Sequence, residues 1–576
     1  MQNEKRQCQN CKQGFTIEPE DFKFYEKIKV PPPTWCPKCR LVRRLIWRNE
    51  RALYKRSCNN CKEDIISIHD SDSSFKVFCH KCWWSDQWDP MFFGLSYDFT
   101  KPFFNQFQSL FNKVPLVALV VSGNQVNSDY TNFAANARNC YLYFGGGSNE
   151  QVAYSKNISF SKDCLDIFNG SKLELCYDDI QCERSYRLFF SEKCEDCNDS
   201  MFLFDCRNCQ NCFGCANLRN KNYCIWNKQY NRDEYLNKLK EFELGNFENP
   251  QKLKSQFWDF CRKVIHKYAN LINAQNSSGD NLFNAKNCKN CFDIFGIDSE
   301  NCKYTHWVTV GVKDSYDNYG MPKAERVYET VAIGFDSNEN SDYYFDFFVR
   351  NSSRVHYSHG CISCHDVFGC IGLQNKQYCI LNKQYTKEEY KKLIPKIIEH
   401  MNNQPHIDQQ GRTYKYGEFF PPSFSSFCYN ETIAQEYFPL TREEALKQGY
   451  RWKEKEERNY KIDIKNKDIP NNIKDVQDDI INKVIECEHQ GKCNEQCTEA
   501  FKIITEELKF YRRMNLPLPH LCPNCRHYNR LKQRNPLKLW HRKCMKEGCG
   551  NEFETPYAPE RPEKVYCESC YNKEVY

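Results

Sequence analysis

The sequence predicts a mainly β protein with small α+β zinc ribbons. It reads as two tandem β-solenoid-like arrays of 12-residue units, flanked by duplicated four-cysteine zinc-ribbon pairs. Three observations predict this. Residues 15–58 align with 501–544 without a gap, at an offset of 486 and with 19 of 44 positions identical. Between these ends, all eleven cysteines from Cys140 to Cys224 are separated by multiples of three. A second array repeats the first: 206–235 aligns with 361–390 at an offset of 155, with 17 of 30 identities.

Bulk properties set the frame. A chain of 576 residues has room for several cores. Apolar residues make up 40%, aromatics 15%, and mean hydropathy is −0.79, the profile of a soluble protein. The start, Met1-Gln-Asn-Glu-Lys-Arg, has no signal-peptide pattern. The longest apolar run, Val114 to Val121, holds a proline and is too short to span a bilayer. The 37 cysteines, many in CxxC-type pairs, point to metal binding in a reducing, cytoplasmic setting rather than to disulfides. Net charge is +6, yet 36–58 and 522–544 each carry +7, which leaves the rest of the chain about 8 units negative.

At the N-terminus, Cys8-x2-Cys11 is followed after 24 residues by Cys36-x2-Cys39. Next comes Cys58-x2-Cys61, then 17 residues, then Cys79-x2-Cys82. The C-terminal pair repeats those gaps. Cys493-x3-Cys497 precedes Cys522-x2-Cys525 by 24 residues, and Cys544-x4-Cys549 precedes Cys567-x2-Cys570 by 17. Cys487 is a spare candidate for the third site. Two knuckles supply four thiolates in a tetrahedron, a closed structural zinc site, so about four Zn²⁺ are expected. The alternative is free or disulfide-bonded thiols. His69 and His80 fall inside the second site's span, but four cysteines already suffice.

The stretch from Cys11-Lys-Gln-Gly-Phe15 through Phe24-Tyr25 to Pro31-Pro-Pro-Thr-Trp-Cys-Pro-Lys-Cys39-Arg40 resembles the bacterial zinc-ribbon (treble-clef-like) family. The match covers about 40 residues at each end, and the resemblance implies a binding module. The whole chain looks like long multi-zinc-ribbon proteins of candidate-phyla bacteria. Some of those carry a CaiB/BaiF CoA-transferase label, but no residue pattern here supports that chemistry.

After each second knuckle the sequence reads as a basic helix. Arg40, Arg43, Arg44, Arg48, Arg51 and Lys55 fall within an arc of roughly 140° at 100° per residue. In the second copy Arg526, Arg530, Arg534, Lys538 and Arg542 recur every four residues. Arginine forks fit phosphate, so nucleic-acid contacts are expected from Arg40, Arg44, Arg48, Arg51, Arg526, Arg530, Arg534 and Lys538. The competing readings are a solvated face, or docking on a protein surface that includes the acidic middle of this chain.

In the middle, blocks of twelve align Cys140, Val152, Cys164, Cys176, Leu188, Ser200, Cys212 and Cys224 in one column. The next column, Tyr141, Ala153, Leu165, Tyr177, Phe189, Met201, Phe213 and Ile225, is apolar throughout. A self-stacking column signals a solenoid, here with cysteine and aromatic ladders expected inside. Each array ends in a helix opened by a capping signature, Asn231-Arg-Asp-Glu234 and Thr386-Lys-Glu-Glu389. Cys206, Cys209, Cys212 and Cys215 are similar to a ferredoxin run, but the last gap is two residues and Ala216 follows. A packing ladder is preferred there over an extra zinc or an iron–sulfur cluster.

The expected units are ribbon 1 (1–57), ribbon 2 (58–90), an aromatic-rich helical connector (91–138), array 1 with its cap (139–245) and a helical linker (246–283). Array 2 with its cap (284–402), an irregular unit and linker (403–475), ribbon 3 (476–543) and ribbon 4 (544–576) follow. No P-loop, dinucleotide fingerprint, HExxH or GxSxG appears. The functional expectation is a zinc-binding scaffold that grips RNA or DNA non-specifically through its arginine helices. The alternatives are a protein–protein scaffold and a polysaccharide-active β-helix enzyme. No membrane partner is expected.

Overall fold

The computed structural model describes residues 2–296, 298–309, 311–320, 325–331, 343–344, 349, 351–455 and 461–576. It is mainly β, with two solenoids and four-cysteine groups at both ends. Among the described residues no helix is long and apolar enough to cross a membrane.

The solenoid geometry follows from a period of three nested in the period of twelve. Every third residue from Phe133 to Trp226 has positive φ. Two extended residues and one left-handed residue make one side of the coil, and four sides make twelve residues. Each side carries its own parallel ladder: Phe168↔Ile180, Ser171↔Glu183, Lys162↔Glu174 and Leu165↔Tyr177. The left-handed corner costs an L-residue about 1–2 kcal/mol, least for Asn and Asp. Asn157, Asp163, Asp166, Asn169, Asn208 and Asn220 therefore stand at corners. Stacked asparagines also bond from coil to coil, as Asn157 to Asn169 at 2.9 Å and Asn208 to Asn220 at 2.7 Å.

The residue that follows each corner points into the lumen. These positions hold Cys164, Cys176, Cys182, Cys194, Cys206 and Cys209, all buried. Their thiols donate to carbonyls two residues back, and several reach the carbonyl nine residues on, as Cys176 does to Glu174 at 3.4 Å and Ser185 at 3.5 Å. Serine does the same work more strongly. Ser155 donates to the Ala153 carbonyl at 2.9 Å and accepts from the Ile167 amide, one coil on, at 3.0 Å. Small polarisable side chains thus fill a narrow lumen and satisfy its inward backbone groups. The Cys206 run is part of this ladder.

The aromatic column is not inside. Leu165, Phe189, Phe213 and Ile225 lie on the outer face, in one core with Phe257 and with Leu508, Phe510 and Tyr511 of ribbon 3. The column is apolar because another part of the chain covers it. The arrays also begin earlier than expected. Val121–Val126 already pairs with Thr131–Arg138, inside the stretch read as connector, and Leu271–Ile272 pairs with Gly279–Phe283, inside the stretch read as linker. In array 2 the coil length varies: partners lie 11 apart at Leu271↔Leu282, 14 at Ala285↔Ser299, 13 at Glu300↔Lys313 and 16 at Val327↔Tyr343. That irregularity hides its register in the sequence.

Both arrays close alike. A short return strand pairs antiparallel with the last coil, at Ile225↔Lys228 and Ile380↔Lys383. Asn382 then mimics a peptide on the exposed edge, accepting from the Ile371 amide and donating to its carbonyl, both at 2.8 Å. Asn227 does so with Ala216, both at 2.9 Å. Gly214 and Gly369, with φ of 65° and 67°, take the corner where Trp226 and the Phe103–Leu381 pair leave no room for a Cβ. The capped helices Arg232–Lys240 and Lys387–Asn403 follow, and Asn231 and Thr386 accept from the Glu234 and Glu389 amides. In the irregular unit, Tyr414, Phe419, Phe420, Ile433 and Ala434 sit in one core with ribbon 1.

One lumen residue sets a pH-dependent test. Asp179 occupies a serine-like inward position, accepting from the Ser191 amide at 2.9 Å while its other oxygen has no hydrogen-bond partner. Burial pushes its carboxyl well above the usual range. A raised folded pKa makes its contribution complete below the unfolded value of about 3.9 and lost as pH rises above it. Asp179→Asn should therefore match the parent near pH 4 and exceed its stability by about 1.4 kcal/mol per pH unit above that, until the folded carboxyl ionises. Denaturant melts at pH 4, 5.5 and 7 read this. A gain independent of pH would contradict it.

Candidate metal centres and the buried arginine helices

All four ribbons build their cysteine group the same way. A two-stranded hairpin leads into the first cysteine: Glu4–Gln7 with Gly14–Ile17, Tyr54–Ser57 with Asp64–Ser67, Ile485–Glu486 with Ala500–Phe501, and Trp540–Lys543 with Glu552–Thr555. The second knuckle caps a helix, so Cys36, Cys79, Cys522 and Cys567 are N-caps. Their amides donate to the first cysteine's sulfur: Cys36 to Cys8 at 3.2 Å, Cys79 to Cys58 at 3.3 Å, Cys522 to Cys487 at 3.2 Å and Cys567 to Cys544 at 3.3 Å. Amide donors and a helix N-terminus both favour thiolate charge.

The quartets are Cys8/Cys11/Cys36/Cys39, Cys58/Cys61/Cys79/Cys82, Cys487/Cys497/Cys522/Cys525 and Cys544/Cys549/Cys567/Cys570. In each, the ligand atoms lie within 4.8 Å of one another. Sulfur separations include 3.7 Å for Cys11–Cys36, 3.9 Å for Cys61–Cys79, 3.5 Å for Cys522–Cys525 and 3.9 Å for Cys549–Cys567. A tetrahedron with metal–sulfur bonds of about 2.3 Å has edges of about 3.8 Å. Each quartet can hold a metal ion.

The third quartet corrects the sequence reading: Cys487, not Cys493, is its first member. The hairpin register decides this. Cys8, Cys58 and Cys544 directly follow the first strand and donate across the knuckle to Gln13, Glu63 and Asn551, each at 2.8 Å; Cys487 does the same to Glu499 at 2.7 Å. An insertion stretches this knuckle to Cys487-x9-Cys497 and makes Cys493-x3-Cys497 resemble one.

The arginine helices are the larger correction. Arg40, Arg43, Arg44, Arg48, Arg51, Arg526 and Arg530 are buried. Of the eight residues expected to meet phosphate, Arg534 is half-buried and Lys538 alone is exposed. The ribbon 1 helix, Pro37–Leu45, docks on array 2. Arg40 Nε pairs with Asp317 at 2.9 Å and Arg44 Nη1 with the same carboxylate at 3.2 Å. Arg43 grips Glu329 bidentately and Glu418 at 2.7 Å. The ribbon 3 helix, Pro523–Leu531, docks on array 1. There Arg526 and Arg530 both pair with Asp166 at 2.9 Å, and Arg530 reaches Asp178 at 3.3 Å.

The two docking sites match group by group. Tyr154, Asp166 and Asp178 form one corner column, and Tyr304, Asp317 and Glu329 form the other, all with positive φ. Arg526 stacks on Tyr154 at 4.5 Å and Arg40 on Tyr304 at 5.2 Å. Stacked coils repeat every ~4.8 Å, and helical residues four apart are separated by ~6 Å, so one arginine row fits one carboxylate column. Each helix crosses to the other array, while the partner ribbon in its pair joins an array entrance. Val77–Phe78 pairs with Leu116–Val117, and Lys564–Tyr566 with Ile265–Lys267.

Between the two helices lies a further buried network. Lys156 bridges Glu50 at 2.6 Å and Glu436 at 2.7 Å, and His527 Nε2 meets Glu436 at 3.2 Å. Burial alone would raise the Glu436 carboxyl, but Lys156 and His527 outweigh it and hold it well below the carboxylate range. Burial, helped by Arg51, pushes His527 well below its ordinary value. Arg51 stacks on Phe144 at 4.7 Å and donates to Asn524 at 3.1 Å, so it ties ribbon 1 to ribbon 3. Arg48 pairs with Glu50 at 2.5 Å, and Arg534 stacks on Tyr437 at 3.8 Å. The sequence reading missed these carboxylates, although Asp166 and Asp178, like Asp317 and Glu329, stand twelve apart.

No protein-family model and no curated protein matches the chain. Among solved structures, the chain resembles one described as an acetyltransferase from Desulfovibrio desulfuricans G20. It shares 11% identity over 52% of this chain and 89% of that one, with a TM-score of 0.10, too low to carry an argument.

Breaking one buried pair leaves its partner charge stranded. Arg43→Met should cost about 3–5 kcal/mol, because Glu329 then loses its bidentate partner and Glu418 its ion pair, whereas Lys538→Met at the surface should cost under about 0.5 kcal/mol. Urea unfolding followed by tryptophan fluorescence checks both. Similar losses from the two would sink the docking account.

Proposed function

We propose that this protein is a zinc-folded scaffold whose ribbons clamp two solenoids into one rigid body, and whose outer coil faces bind a protein partner. The observation that carries this reading is the reciprocal docking of each arginine helix on the opposite array. Arg40, Arg43, Arg44, Arg526 and Arg530 are paired with carboxylates inside the chain, which counts against a grip on RNA or DNA by those residues. The corners of array 1 support a protein partner, because opposite charges pair there: Arg184 with Asp196 at 3.0 Å and Arg187 with Asp199 at 3.1 Å. A polyanion favours a field of one sign, whereas a mixed surface fits another mixed surface. Asp166, Asp317 and Glu329 are buried under arginine, which counts against a glycan reaching those carboxylates. Zinc is the ion that four thiolates in a closed tetrahedron suit best, and a reducing compartment keeps those thiols available.

Two measurements test the proposal. Metal removal by chelator under reducing conditions should expand the chain in small-angle scattering and expose the helices Pro37–Leu45 and Pro523–Leu531 to protease. Unchanged dimensions after complete metal loss would refute the clamp. In parallel, anisotropy of a labelled single-stranded RNA 20-mer should show no saturable binding at 150 mM salt. Tight, steeply salt-dependent binding that Lys532→Glu with Lys538→Glu abolishes would restore the nucleic-acid reading.

A further inference from the structure

Ribbon 3 differs from its three sisters in one respect that the clamp does not require. Nine residues separate Cys487 from Cys497, against two between Cys8 and Cys11 and four between Cys544 and Cys549. The inserted loop turns through positive φ at Gln490, Gly491 and Gln496. It brings His489, Cys493 and Glu495 beside Cys525, and the four ligand atoms lie within 4.8 Å of one another. The Cys493 and Cys525 sulfurs are 3.8 Å apart, about the tetrahedral edge of a zinc thiolate site. Cys525 Sγ also lies 3.9 Å from Cys487 and 3.5 Å from Cys522, so it belongs to both groups.

A second feature points to a ligand. Glu495 is 7% exposed, and its Oε2 takes part in no hydrogen bond. His489 Nδ1 is likewise buried without one, and the two atoms face each other at 3.3 Å. The other Glu495 oxygen pairs with Lys532. A buried carboxylate oxygen and an imidazole nitrogen that face each other beside a sulfur pair without a hydrogen bond are groups that a cation between them would satisfy.

We infer that ribbon 3 holds a dinuclear centre, in which a second divalent ion binds His489 Nδ1, Cys493 Sγ, Glu495 Oε2 and a bridging Cys525 thiolate. The donor set of one nitrogen, two sulfurs and one oxygen suits zinc. The inference rests on the proposed zinc occupancy of the Cys487 quartet, which supplies the shared thiolate. Substituting the loop ligands should remove one ion and leave the ribbon folded, since Cys487, Cys497, Cys522 and Cys525 remain.

The test is metal content per chain of the full-length protein, reconstituted with Zn²⁺ and separately with Co²⁺. About five ions are expected for the parent and about four for Cys493→Ser and for Glu495→Gln. In the cobalt protein, thiolate bridging couples two ions and silences their paramagnetic resonance, and Cys493→Ser should restore one uncoupled signal. A parent with four ions, unchanged in Cys493→Ser, overturns the dinuclear centre while leaving the zinc clamp standing. Five ions in the variant as well as the parent also overturns it. A parent with none overturns both readings.

Discussion

The architecture depends on the fit between an arginine row and a carboxylate column. A square solenoid offers one corner residue per coil, spaced by the strand-to-strand distance, and a helix offers side chains four apart at nearly the same spacing. Asp166 with Asp178, and Asp317 with Glu329, are therefore positioned to receive Arg526 with Arg530, and Arg40 with Arg43 and Arg44. Removing two charges from water is costly, and a buried pair adds little stability over an apolar contact. What the ladder adds is register: a slip by one coil strands a charge. The same logic explains why Tyr154 and Tyr304 cap the columns, since each stacks on the last guanidinium.

Zinc-sized cysteine groups make this fit possible. A helix of nine residues, such as Pro37–Leu45, is marginal alone. A metal ion held by Cys36 and Cys39 with Cys8 and Cys11 would tie it to a hairpin and fix the positions of its arginines. The crossing then does the rest. Because ribbon 1 docks on array 2 while ribbon 2 joins the entrance of array 1, each ribbon pair spans both solenoids. The irregular unit fills the middle, where Glu436 gathers Lys156 and His527 and Tyr437 receives Arg534.

Much of this was legible in the sequence. Twin knuckles, the offset of 486 and the twelve-residue columns define ribbons and solenoids, because metal geometry and coil length each impose a fixed spacing. Three things were not legible, each for a physical reason. Phase was ambiguous, since the Cys164 column faces the lumen and the adjacent Leu165 column faces ribbon 3, and both are buried. Ligand choice was ambiguous, since an inserted loop moved Cys487 away from Cys497 in sequence while the hairpin kept them together. The destination of the arginines was hidden, since a positive face reads alike whether it meets phosphate or its own carboxylates. The acidic remainder of the chain was the available hint.

The lumen shows a packing role that accounts for much of the cysteine in this chain. A coil of four three-residue sides leaves a narrow interior, where leucine fits at some levels and serine or cysteine at others. An inward side chain must also answer backbone groups that the corner turns inward. Serine does this with a full hydrogen bond, and cysteine with a weak one at sulfur distance, while filling more volume. Cys194, Cys197, Cys206 and Cys209 are accordingly buried and face carbonyl groups such as Glu192, Glu195, Phe204 and Arg207. The ribbon cysteines face amides instead, as Cys8 faces that of Cys36 and Cys487 that of Cys522. A carbonyl accepts a hydrogen bond from the thiol, whereas an amide donates one to sulfur and favours its thiolate form. The same residue thus serves as packing in one place and as a metal ligand in the other, according to the backbone groups turned toward it.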